Sequence, residues 1–84
     1  MLAEATIEKP LYDIHGRKYL DLKIGNNIYH VKVPFRYNRV MCKVEDHVPI
    51  QDMCLGQPVY VMIEKRQWDE EVHWVLISIR RKPS

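Results

Sequence analysis

Apolar and polar residues alternate with a period of two through much of this 84-residue chain. Leu20, Leu22 and Ile24 alternate with polar residues, and residues 29–35 repeat the pattern. Successive side chains of a β-strand point to opposite faces, so this period predicts strands that are buried on one face only. Gly25 and the two Asn residues after it accept positive φ at low cost, which predicts a hairpin between the two strands.

Three further segments have the composition of strands. One covers residues 6–14, where Pro10 predicts a bulge or an edge position. Residues 15–17 form the turn that connects this strand to the next one. Two more, over residues 58–64 and 72–80, are expected to form a second hairpin around the polar loop 67–71. The residues expected to face inward from that hairpin are Val59, Val61, Ile63, Val75, Ile77 and Ile79.

The segment between the third and fourth strands has the pattern of one short helix. Pro49 stands where a first helical residue would be, Gly56 lies just past the end, and Ile50 and Met53 follow helical spacing. We therefore expect a helix over residues 49–55.

Five short strands are too few for an ample two-sheet sandwich, and closure into a barrel removes exposed strand edges. The sequence thus predicts one all-β domain over residues 1–84, a small five-stranded β-barrel. The order of three strands, a helix and two strands resembles the OB-fold (oligonucleotide/oligosaccharide-binding fold). The resemblance is carried by the segments DLKIGNNIYHVKVPF, LGQPVYVMIEKRQ and HWVLISIRR. An SH3-like barrel, which usually has only a short helical turn before its last strand, is the alternative.

Several function classes are disfavoured by what the chain lacks. Its apolar runs are too short to cross a bilayer, and no signal or transit segment is readable, so we expect an intracellular protein of the cytoplasm or nucleus. Cys42 and Cys54 are too few for a disulfide framework, and no close Cys or His pair indicates a metal site. No nucleophile–base pattern or phosphate-binding glycine loop is present, so we expect neither an enzyme nor a bound cofactor.

Charge is unevenly distributed although the net charge is only +2. Residues 28–43 carry Lys32, Arg36, Arg39 and Lys43 and no acid. The OB resemblance implies that single strands bind the outer face of strands two and three and the loops 15–18 and 67–71, where cations contact phosphates and rings stack on bases. The acids of the second loop depart from that pattern because they would repel phosphate. The residues expected to contact nucleic acid are Arg17, Lys18, Tyr19, Lys23, His30, Lys32, Arg36, Tyr37, Arg39 and Trp68.

A second surface is expected on strands four and five, where both faces carry apolar residues. Apolar surface rich in Trp, Tyr and Met is typical of protein interfaces. The residues expected to point outward there are Tyr60, Met62, Trp74 and Leu76.

Together these features predict an OB-like domain that binds single-stranded nucleic acid, DNA or RNA, as a component of a larger assembly or homo-oligomer. The alternative is a protein–protein adaptor whose basic face meets an acidic partner. The basic residues of strands two and three could also do no more than solvate an exposed sheet face.

Overall fold

A computed structural model describes residues 1–34 and 50–83 of the chain. Its strands are β1 (Leu2–Ile14), β2 (Arg17–Ile24), β3 (Asn27–Val33), β4 (Pro58–Trp68) and β5 (Glu71–Arg81). They close into a barrel in the order β1-β2-β3-β5-β4. The predicted five-stranded all-β barrel is confirmed, and it is consistent with an OB-like fold.

The barrel is antiparallel except where β3 meets β5. These two strands run parallel and pair through Val31 with Trp74 and Lys32 with Val75. Parallel neighbours cannot be joined by a tight turn. The chain therefore crosses from β3 to β4, on the far side of β5 in the strand order, before β5 returns beside β3.

The core fills the barrel with side chains from every strand. The period of two places Leu20 and Leu22 of β2 inside, and the predicted inward residues of β4 are confirmed as fully buried. Burying one such aliphatic side chain contributes about 1.5–3 kcal/mol. In the described part of the chain the core residues are Ala5, Ile7, Leu20, Leu22, Val31, Val33, Ile50, Met53, Val59, Val61, Ile63, Leu76 and Ile79.

The predicted helix before β4 is not present as an α-helix in the described part of the chain. A three-residue 3₁₀ turn, Ile50–Asp52, stands there, and Pro49 lies outside the described residues. The amide of Met53 donates to the carbonyl of Ile50 at 3.1 Å, which is the shorter 3₁₀ type of bond. Ile50 and Met53 both bury against the core, so the apolar spacing was interpreted correctly although the helix type was wrong.

β1 contains two register shifts against β2. One lies between Ile7 and Lys9 and the other between Lys9 and Tyr12. Pro10 falls within the second shift, which confirms the bulge predicted from that residue, since proline cannot donate to a strand ladder. The extra residues decide which side chains of the second half of β1 face outward.

A bulge in β5 corrects the predicted outward face of that strand. Met62 pairs with Ser78 but Ile63 pairs with Leu76, so Ile77 is an extra residue. Alternation therefore changes phase at Ile77, and Leu76 is fully buried instead of pointing outward. Trp74 also turns inward and packs against the core, whereas Ile77 is only half-buried.

Two of the four residues expected to form an apolar interface do lie on the outer surface. Met62 is 37% exposed and Tyr60 is half-buried on the outer face of β4. The expectation of an outward position was wrong for Trp74 and Leu76, because the β5 bulge reverses them.

Candidate functional site

Three large side chains form a row across the outer face of β1, β2 and β3. Tyr12 is the cross-strand partner of Tyr19, and Tyr19 is the partner of Lys32. The two tyrosine rings stack with centroids 5.7 Å apart and planes inclined by 25°. The row exists because each strand presents its outward residue at the same level of the sheet.

Further cations and rings extend this row in both directions. Lys9 Nζ lies 4.2 Å from the centroid of the Tyr12 ring, and Lys32 Nζ lies 4.9 Å from that of Trp68. Trp68 stacks on His73 at 3.8 Å with nearly parallel planes. The result is a continuous surface, here named the aromatic band. Its members are Lys9, Tyr12, Tyr19, Lys32, Trp68 and His73.

A buried carboxylate anchors one part of the band. Asp21 is only 8% exposed although it lies on the outer face of β2. Its Oδ1 accepts a 2.6 Å hydrogen bond from the Tyr12 hydroxyl and lies 2.8 Å from Nδ1 of His30. An ionised carboxylate can only accept, so Nδ1 of His30 carries the proton in this contact. Asp21 thus connects side chains of the two strands that flank β2.

The Tyr12 hydroxyl is held in its neutral, donating form. Burial, followed by the hydrogen bond to Asp21, raises the pKa of Tyr12 well above its ordinary value of 10.0. Removing the proton would place a phenolate beside a carboxylate, which explains the direction of the shift. Tyr12 therefore keeps its donating proton to a higher pH than an ordinary tyrosine does.

A cleft adjoins the band where β3 and β5 are not paired. Only two residue pairs join these strands, and the stretches before them line the cleft. Tyr29 and Trp74 meet edge to face at 5.2 Å and pack against the core beneath it. Ile28 and Val72, each about half exposed, stand at its sides. The cleft offers apolar and aromatic surface next to the cations of the band.

The turn between β1 and β2 holds one of the predicted basic residues in an ion pair. Asp13 accepts a 2.8 Å hydrogen bond from the amide of Gly16 and a 2.6 Å bond from Nζ of Lys18. These two bonds, that to Lys18 being the stronger cause, lower the pKa of Asp13. The charge of Lys18 is therefore partly compensated, whereas Arg17 is exposed at the start of β2.

The turn between β4 and β5 places acids beside the band. Asp69 and Glu70 follow Trp68 directly and both have positive φ, at 52° and 62°. The expected polar loop is therefore reduced to a two-residue turn. These acids oppose phosphate binding at this end of the band, as their charge predicts.

His73 carries a hydrogen-bonding atom without a protein partner among the described residues. Its Nε2 is buried, and the nearest carboxylate oxygen, Oε2 of Glu71, is 3.8 Å away. That separation exceeds hydrogen-bond length. A buried polar atom in the Trp68–His73 stack therefore has no hydrogen-bond partner within residues 1–34 and 50–83.

Four of the predicted nucleic-acid contacts lie together on one surface. Tyr19, Lys32 and Trp68 belong to the band, and His30 lines the cleft beside it. Lys23 is exposed on the same face of β2, opposite Thr6 and Ile28. Arg17 and Lys18 lie at the β1–β2 turn. The remaining three predictions, Arg36, Tyr37 and Arg39, fall outside the described residues.

Sequence reasoning missed Lys9, Tyr12, Asp21 and His73. The bulges of β1 hide the face on which Lys9 and Tyr12 lie, because the period of two is broken twice. Asp21 was on the predicted outward face with Tyr19. An acidic residue in a strand, between bulky or basic neighbours on the same face, was the pattern that could have identified it. His73 had none, since its position depends on the β5 bulge.

Comparisons with protein-family models, curated proteins and solved structures return no match to this chain. Within residues 1–34 and 50–83, no helix has the length and apolar character needed to cross a membrane. Across the same ranges, no three His, Cys, Asp or Glu side chains converge as metal ligands.

Proposed function

We propose that this protein binds single-stranded nucleic acid along the aromatic band, as an OB-like domain that works within an assembly. The closed five-stranded barrel, in which two residue pairs join β3 to β5, fits the OB type. Its band lies on β2 and β3 and reaches the β4–β5 hairpin, where the resemblance implies ligand contacts.

One observation carries the proposal: two lysines lie beside aromatic rings along a single surface, one on each side of the Tyr12–Tyr19 stack. Lys9 lies over Tyr12, and Lys32 lies between Tyr19 and Trp68. A single strand likewise presents both phosphates and bases along its length. A base stacked on a protein ring contributes about 1–3 kcal/mol, and a cation beside it can contact the phosphate.

Burial keeps the carboxylate of the band from facing a ligand. Asp21 is largely covered by its contacts with Tyr12 and His30, so it orients these groups while only 12% of its side chain is exposed. The rings and cations are ordered before a ligand arrives. Ordering groups in advance lowers the entropic cost of binding. Stacking and ion pairing are binding interactions, so they support a binding role rather than a catalytic one.

Fluorescence anisotropy of labelled single-stranded DNA and RNA tests the proposal. Tyr19→Ala and Trp68→Ala should each weaken binding about tenfold, because each removes a stacking ring. Trp68→Phe retains a ring and should lose less. Lys32→Glu should abolish binding at moderate salt, since it places an acid in the centre of the band.

Lys82→Glu is the matched control for Lys32→Glu. Lys82 lies beyond β5 and pairs with Glu4, away from the band. Folding of each variant is checked by circular dichroism. If Lys82→Glu weakened binding as much as Lys32→Glu, attraction would be a property of the net charge and the band would not be the site. If neither DNA nor RNA bound, the alternative of a protein-only adaptor would replace the proposal.

A further inference from the structure

A second surface lies on the outer face of β1, β4 and β5, apart from the aromatic band. In one row Leu2 pairs with Met62, which pairs with Ser78. Leu2 is 75% exposed and Met62 is 37% exposed. The neighbouring row places Tyr60 between a residue of β1 and a residue of β5. We name Leu2, Tyr60 and Met62 the apolar patch.

Charge flanks the apolar patch with opposite sign on its two sides. Tyr60 pairs with Glu4 of β1 and with Arg80 of β5. The Arg80 guanidinium carbon lies 4.9 Å from the centroid of the Tyr60 ring. The row thus reads acid, aromatic ring, base across three adjacent strands, with β4 in the centre.

This antisymmetric row is complementary to itself. A two-fold axis parallel to β4 and lying in the contact plane would place Glu4 of each copy over Arg80 of the other. The same operation sets Tyr60 on Tyr60 and Met62 on Met62. A two-fold axis perpendicular to β4 in that plane would instead bring Glu4 against Glu4. Electrostatic complementarity therefore favours the two-fold axis parallel to β4, because the same Glu4–Arg80 contact then forms twice across the interface.

We propose that the apolar patch is the contact between two copies of this chain, related by a two-fold axis along β4. The copies pack face to face, because the closed barrel leaves β4 no unpaired edge. Glu4 already forms a 3.2 Å pair with Lys82 in its own chain, and the Glu4 side chain is 62% exposed. Exposed pairs contribute little stability, so the carboxylate can meet a second cation.

The face of three strands is small, and its outer surface is convex. Interfaces below about 1,200 Å² of total buried area are typical of weak complexes. We therefore expect a reversible dimer with a dissociation constant on the order of micromolar rather than a permanent one. The contact uses the first residues of β1, whereas the aromatic band uses Lys9 and Tyr12. Each dimer would carry two uncovered bands.

Sedimentation equilibrium over a range from about 1 to about 500 µM protein tests this proposal. The wild-type mass should rise from 10.1 kDa toward twice that value. Met62→Lys should weaken self-association at least tenfold by placing a charge at the centre of the contact. Glu4→Arg and Arg80→Glu should each weaken it, and the double variant should recover it because the exchanged charges meet again across the axis.

Glu8→Arg is the matched control for Glu4→Arg, since Glu8 is exposed on the same strand outside the apolar patch. It should leave the association constant unchanged. A monomeric mass at every concentration would show that the apolar patch does not bind a second copy of this chain. A dimer that Met62→Lys leaves intact would overturn the site, and a double variant weaker than either single variant would overturn the axis. Nucleic-acid affinity per chain, measured with Met62→Lys, should not change, so the two proposals fail separately.

Discussion

The Tyr12 hydroxyl donates a 2.6 Å hydrogen bond to Oδ1 of Asp21, joining β1 to β2 on the outside of the barrel. Nδ1 of His30 contacts the same oxygen from β3. One buried carboxylate therefore fixes polar side chains from both neighbouring strands. Because Tyr12 stacks on Tyr19, the orientation set by Asp21 extends to the rings of the aromatic band.

Asp21→Ala should destabilise the protein by about 1–3 kcal/mol, because it leaves the half-buried Tyr12 hydroxyl without its acceptor. Chemical denaturation measures the change in the free energy of unfolding. Asp21→Asn keeps an acceptor oxygen and should cost less. Asp13→Ala removes an exposed acid whose ion pair with Lys18 is screened by solvent, so it should change stability much less than Asp21→Ala does. Equal losses for Asp21→Ala and Asp13→Ala would show that the carboxylate does not anchor the band.

The raised pKa of Tyr12 predicts a late phase in alkaline titration of the folded protein. Ultraviolet difference spectroscopy should detect a tyrosine that ionises above the ordinary value near 10. A pKa raised by folding adds stability that is fully present below pH 10 and is lost as pH rises toward the folded value. Tyr12→Phe should remove the phase, whereas Tyr60→Phe should retain it. A Tyr12→Phe curve identical to wild type would contradict the assignment.

Leu76→Ala should cost about 2–5 kcal/mol of unfolding free energy, because Leu76 is fully buried in the core. Met62→Ala, on the outer face of the partner strand, should cost less than about 1 kcal/mol. The comparison measures the phase change at Ile77 directly. If the two variants lost similar stability, the β5 bulge would be placed wrongly.

Glu70→Gly should stabilise the protein by about 1 kcal/mol, since Glu70 has a φ of 62° that glycine adopts without steric cost. Glu70→Gln keeps the backbone strain and should leave stability nearly unchanged. Both variants remove a negative charge next to Trp68, so both should strengthen nucleic-acid binding. Thermal unfolding and anisotropy separate the backbone effect from the charge effect.

The barrel could be predicted because one-faced burial enforces alternation on β2, β3 and β4. The β2–β3 turn could likewise be predicted from Gly25, whose φ is 61° in the structure. β5 could not be oriented in the same way. Residues 74–77 are all apolar, so they carry no alternation from which the phase or the extra residue Ile77 could be recognised. Burial of Ile50 and Met53 was predictable, but three residues of 3₁₀ turn satisfy the same spacing as a longer helix.

The site could be predicted only in part for a related reason. Tyr19, His30 and Lys32 follow from the period of two, and Trp68 from its place beside a turn. Tyr12 is joined to them by a register that two bulges shift. The stack of Trp68 on His73 depends on the β4–β5 register, which is a tertiary property. Sequence alternation describes a face within one strand, whereas a band across strands requires the register between them.

The most direct test of the central claim is the salt dependence of binding by the wild-type protein. Anisotropy of short single-stranded DNA and RNA is followed at several salt concentrations. Binding through the aromatic band predicts that log K falls linearly with the logarithm of the salt concentration, with a slope of about −0.7 per phosphate contacted. Stacking on the rings should leave measurable affinity at moderate salt. Absence of binding to either nucleic acid at low salt would contradict the claim.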